Sequence, residues 1–82
     1  MAYHKNIIPK GELGQPSKIT EEYFEFMDAV QQNNKVLILC ELSDIMGAIE
    51  HYLENKFNSS VKLEDLIAMH KMTRKAFKDG ER

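Results

Sequence analysis

Residues 19–50 read "ITEEYFEFMDAVQQNNKVLILCELSDIMGAIE", and the order of apolar and acidic side chains along them decides the fold. Ile19, Tyr23, Phe26, Met27 and Val30 recur at helical spacing and predict the apolar stripe of a first helix. "QQNN" (31–34) offers no apolar anchor and reads as the connection to a second helix, from about Lys35 to about Phe57. On that helix Ile38, Leu42, Ile45, Met46, Ile49 and Leu53 form one stripe, widened by Val36, Leu39 and Tyr52, which is broad enough to face more than one neighbour.

The acids follow the same period. With Ile19 at zero and about 100° per residue, Tyr23, Phe26 and Val30 fall within about 40°, Glu22 about 60° to one side and Glu25 about 120° to that side. With Ile38 at zero on the second helix, Glu41 and Asp44 take the same two positions, about 60° and about 120° from the stripe. Each helix thus carries an i, i+3 acid pair on one shoulder. A solvated flank normally mixes signs, because like charges at i, i+4 destabilise a helix. Here Glu21 and Glu25 are such a pair, Glu25 and Asp28 add another at i, i+3, and Lys35 is the one basic residue in the stretch. Lys18 can partner Glu21 or Glu22, but nothing basic on the first helix serves Glu25. If the two helices pack antiparallel, four carboxylates converge, an unfavourable arrangement unless a cation neutralises it. Oxygen ligands in that number suit Mg²⁺ or Mn²⁺, whereas zinc favours His or Cys.

Outward from this core stretch the chain is simpler. Residues 1–17 carry Pro9, Gly11, Gly14 and Pro16 and read as an extended arm and loop, with Ile7 and Ile8 expected to pack on the body or a partner. Residues 18–82 form the helical domain. Its first helix should start between Ser17 and Thr20, where a hydroxyl can cap free amides, and end near Asn33–Asn34. "NSS" (58–60) closes the second helix. A third runs from about Lys62 to Lys78, with Leu63, Leu66, Ile67, His70 and Phe77 on one side and Gly80 as its stop. No strand pattern appears. Three helices close a core poorly, so the expected fold is an all-α bundle completed by a second copy, as a homodimer or homotetramer.

The 82 residues allow one domain, and so short a chain often needs a partner, a metal or disulfides for stability. Cys40 is the single cysteine, which excludes an intrachain disulfide and suits a small packed side chain in a reducing compartment. Eleven basic against 13 acidic residues disfavour a duplex-DNA partner. No stretch reaches the roughly 20 apolar residues of a membrane span. The N-terminus lacks the pattern of a signal peptide, so a cytoplasmic protein is expected.

"EEYFE" (21–25), then fifteen residues, then "ELSD" (41–44) resembles the EExxE…ExxD signature of the MazG-like superfamily of all-α nucleoside triphosphate pyrophosphohydrolases. That superfamily includes dimeric dUTPases, dCTP pyrophosphatases and phosphoribosyl-ATP pyrophosphohydrolases. The likeness spans residues 17–52 and extends to "KITEE" and "ELSDIMGAIEHYL"; "KMTRKAF" (71–77) is similar to a basic-aromatic segment of many members. It implies Mg²⁺, with Mn²⁺ as a substitute, held by Glu22, Glu25, Glu41 and Asp44. It also implies Glu21 as an extra ligand or water-positioning group and attack of water at the α-phosphorus, releasing pyrophosphate. Glu21 and Glu25 are the catalytic candidates.

Lys71, Arg74 and Lys75 share one face of the third helix and could bind phosphate or simply be solvated. Lys18 could meet either a triphosphate or Glu22; Lys5 and Lys10 could approach a neighbouring subunit. Phe24, off the main stripe, is the first choice to stack on a base. His51 and His70 read as half-buried, hydrogen-bonded side chains. The alternative functions are a non-catalytic helical adaptor or inhibitor and a nucleotide sensor.

Overall fold

A computed structural model describes residues 4–82, so the first three residues of the arm lie outside the description. Three helices, α1 (Pro16–Gln31), α2 (Lys35–Phe57) and α3 (Leu63–Lys78), make up the regular structure, and no strand occurs among the described residues.

The start of α1 differs from expectation. Gln15 is the cap residue and Pro16 takes the first turn, where its missing N–H costs nothing. The Ser17 hydroxyl instead accepts the N–H of Glu12 in the loop. Gln32–Asn34 connect α1 to α2. Asn33 turns the chain at a left-handed φ of 52°, and the Asn34 side chain accepts the Leu37 N–H to cap α2. At the other end of the hairpin, the Asn55 amide donates to the Gly14 carbonyl just before α1. The two helices are tied at both ends and therefore run antiparallel. Left-handed Asn58 and Ser59 close α2 as "NSS" suggests. The Asp65 carboxylate accepts the Lys62 N–H at the start of α3, and Gly80 ends it at a φ of 79°.

Within the single chain the apolar stripes are only partly covered, and the acidic shoulders turn inward. On α1 the buried residues are Glu21, Glu22, Asp28 and Ala29, while Tyr23, Met27 and Val30 of the apolar stripe remain exposed. The acidic shoulder of α1 faces α2 because the hairpin is closed along that side, and the α1 stripe is only partly covered, by Ile19 and Phe26. On α2 Glu41, Ala48 and Leu53 are buried, whereas Val36, Leu39, Leu42 and Met46 are exposed. α3 packs on α2 alone among the helices; Leu63, Leu66, Thr73 and Ala76 are half-buried, while Ile67 and Phe77 are exposed. Among the described residues four acids are buried against three apolar side chains, Ala29, Ala48 and Leu53. The inside of this chain is built around charge.

Candidate metal centre

The arm reaches the site before any helix does. Its backbone runs back along α1, opposite in direction, and two buried acids of α1 hold it. Asp28 accepts the N–H groups of Lys5 and Asn6 at 3.1 and 3.2 Å, the Asn6 side-chain amide, and the Gln32 amide at 2.8 Å. About two turns upstream, Glu21 accepts the Gly11 N–H at 2.8 Å and pairs with Lys18 at 3.1 Å and Lys10 at 3.5 Å. Burial works against ionising either acid, but these donors win. Gln32, His4 and the two amides pull Asp28 down to about 2, and Gly11, Lys18 and Lys10 hold Glu21 below the usual carboxylate range.

Between these two anchors the carboxylates converge. One oxygen from each of Glu22, Glu25, Glu41 and Asp44 lies within 4.8 Å of the others. Glu22 and Glu25 come from successive turns of α1, and Glu41 and Asp44 from successive turns of α2; the antiparallel hairpin makes the matched shoulders meet. Glu22 is 6 % exposed and Glu41 5 %, and the Oε2 atom of each has no hydrogen-bond partner among the described residues. A buried carboxylate oxygen without a donor is costly, and a proton or a bound cation at this place would offset that cost. Lys18 is the nearest basic side chain, its ammonium 3.1 Å from Glu22 as well as from Glu21, and this double pairing raises its pKa despite burial.

Burial, then the adjacent Glu25, raises the carboxyl of Glu22 against the pull of Lys18. Glu25 is raised by burial and by Glu41 and Glu21, against a contact with Glu22 that lowers it. Asp44 is raised by burial and the charge of Glu22, against Lys18. Loss of hydration leads in each case, and the charge of neighbouring carboxylates adds to it. Four hard oxygen donors with this spacing match the ligand set of Mg²⁺ or Mn²⁺, so the donor chemistry and the orphaned oxygens both fit that kind of ion. The cluster opens to solvent through a cleft of about 580 Å³ lined by His4, Glu25, Asn34, Val36, Leu37, Cys40, Glu41 and Asp44.

Other expected site residues are placed elsewhere. The Glu21 carboxylate is committed to the arm and stands outside the converging set. Lys18 sits at the cluster, paired with carboxylates. Phe24 stacks obliquely on Tyr23 and lines a separate hollow under the arm with Asn6, Ile7, Ile8, Pro9 and Met27. Ile8 is half-buried there, but Ile7 is fully exposed. Lys71, Arg74 and Lys75 are exposed on α3, and Lys75 pairs with Asp79 at 2.8 Å. Cys40 is exposed beside Glu41 rather than packed, because the face of α2 that bears it is uncovered in the single chain. His51 is half-buried, with Nδ1 2.9 Å from the Gly47 carbonyl, as expected. His70 is exposed and meets Phe77 edge-on.

Sequence reasoning missed His4 and the role of Asp28. His4 Nδ1 lies 2.9 Å from Asp28 Oδ2 and Nε2 lies 3.5 Å from Glu41 Oε1. Burial lowers its pKa, but Asp28, Glu41 and Glu25 outweigh that and raise it. The i, i+3 spacing of Asp28 after Glu25 was the available signal for the acid; an arm without periodicity gives none for the histidine. No protein-family model, curated protein or solved structure matches the chain.

Proposed function

We propose that the chain is a Mg²⁺-dependent nucleotide pyrophosphohydrolase that cleaves a nucleoside triphosphate, or a related nucleotide, between its α and β phosphates. Water and the nucleotide yield a monophosphate and pyrophosphate. The observation that carries the proposal is the convergence of Glu22, Glu25, Glu41 and Asp44 around buried oxygens that lack partners. These four residues would hold the ion, with Mn²⁺ as a substitute. A divalent ion supplies charge neutralisation for phosphoryl oxygens and an oriented water.

The chain's own groups divide the remaining work. Glu25, the half-exposed carboxylate of α1, faces the cleft and is assigned to orient the attacking water. Lys18, held by Glu21 and Glu22, is the cation at the cluster able to meet a phosphate oxygen. Glu21 acts as a positioning residue through Lys18 and the arm. Because α3 touches α2 alone, Lys71, Arg74 and Lys75 are assigned to meet phosphate from a second copy in a homodimer or homotetramer. Support for an assembly comes from the apolar faces left open: Val36 is 73 % exposed, Leu39 67 % and Met72 86 %. The base is left to Phe24 or another exposed aromatic residue.

The test is pyrophosphate release by the purified chain with Mg²⁺ and a panel of ribo- and deoxyribonucleoside triphosphates. Glu41→Gln and Asp44→Asn should each lower the rate by at least about a hundredfold with the helical circular dichroism unchanged. Full activity in both variants, or no release from any nucleotide, would overturn the proposal.

A further inference from the structure

His4 is the one imidazole at the cluster, and the proposed chemistry leaves it unused. Asp28, ionised and ringed by N–H donors, can only accept, so the hydrogen shared with His4 sits on Nδ1, and Nε2, on the side of the carboxylates, is the nitrogen that the neutral imidazole offers to a metal ion in place of a proton. Nε2 and one oxygen from each of Glu25 and Glu41 lie within 4.8 Å of one another. Two donors about 2.1 Å from one ion stand about 3.0 to 3.4 Å apart in octahedral or tetrahedral geometry. The 3.5 Å between Nε2 and Glu41 Oε1 is close to that spacing. The other oxygen of the same carboxylate, Glu41 Oε2, is buried and has no hydrogen-bond partner among the described residues, so Glu41 still has an unmet demand for a positive partner beside His4.

We infer that His4 Nε2 is a metal ligand, completing with Glu25 and Glu41 a mixed nitrogen–oxygen site for a first-row divalent cation such as Mn²⁺ or Co²⁺, beside the all-oxygen site. The inference rests on the cation reading proposed above and deepens it. Two ligand sets that share Glu25 and Glu41 let those carboxylates bridge adjacent ions or serve one ion in either position. Imidazole favours transition metals over Mg²⁺, so the arm makes the site metal-selective. Asp28 is a positioning residue: it fixes the tautomer and orientation of the imidazole, as a carboxylate behind a ligating histidine does.

The full chain loaded with one equivalent of Mn²⁺ should give ¹⁴N modulation in pulsed electron paramagnetic resonance. The modulation should disappear in His4→Gln and persist in His51→Gln and His70→Gln, which remove the other two histidines. The amide introduced by His4→Gln can still donate to Asp28, so the arm keeps its attachment. Calorimetry should give about tenfold weaker Co²⁺ binding in His4→Gln and a Mg²⁺ affinity changed less than about twofold. Absence of nitrogen modulation in the wild type, or its survival in His4→Gln, would overturn the inference. Nucleotide cleavage with oxygen-only Mn²⁺ spectra would defeat the role of His4 alone; nitrogen modulation without cleavage of any nucleotide would defeat the pyrophosphohydrolase assignment alone.

Discussion

At the scale of single residues, the acids divide by what they touch. Glu21 and Asp28 face donors and stay ionised; Glu22, Glu25 and Asp44 face one another and resist ionisation. The spacing of the acids already indicated which four could converge. It also set Glu22 on the shoulder and Glu21 about 100° away from it, but it could not show that Glu21 is held by backbone donors, since only the packed arm supplies them. Gly11 illustrates the same limit. It reads as a breaker in the sequence, yet its role is close approach: a Cβ there would overlap the Ser17 carbonyl and lie 2.6 Å from the Lys18 Cα. Gly11→Ala must push the arm away from α1 and withdraw the N–H from Glu21. We expect a loss of about 1–3 kcal/mol. In a chain of this size that is a fall of at least about 4 °C in a calorimetric melt. An unchanged melting temperature would mean the approach is not needed.

At the scale of elements, all three helices and both connections were legible. Turn chemistry at Asn33–Asn34, Asn58 and Gly80 is local, and local signals suffice for it. The inward faces were not. A helical wheel ranks faces by hydrophobicity, whereas α1 buries Glu22 and brings it with Glu25 to the acids of α2. Likewise the third helix was assigned an apolar side that is half uncovered, since Ile67 and Phe77 stay exposed and Phe77 meets His70 of its own helix. These open faces on α2 and α3 predict association. Sedimentation should give a mass of two or four times 9.5 kDa, and Leu39→Glu should shift it toward the single chain; a wild-type mass of one chain would exclude the assembly.

At the scale of the molecule, burying charge makes stability depend on pH in an unusual direction. Glu22, Glu25 and Asp44 have raised values in the folded chain, so the stability tied to them is full below their ordinary values of 4.5, 4.5 and 3.8 and is lost as pH rises through the folded ones. His4, raised from 6.5, acts in the same sense at higher pH. Glu21 and Asp28 act oppositely, their contribution being lost as pH falls, for Asp28 through about 2. In EDTA the melting temperature should therefore be highest near about pH 5 and fall toward about pH 8, and millimolar Mg²⁺ should remove most of that fall by binding the ionised cluster. A melting temperature in EDTA that climbs steadily over that interval would contradict this balance. No helix among the described residues is long and apolar enough to cross a membrane. The strap along α1 carries a last consequence. Three of its fastenings, at Lys5, Asn6 and Gly11, are main-chain N–H groups, which every residue but proline possesses. Segments that differ elsewhere but keep a residue without a Cβ at position 11 can therefore clasp the same two acids, and kinship at this end of such a molecule is better sought in the pair of clasped carboxylates and that glycine than in the other letters of the segment.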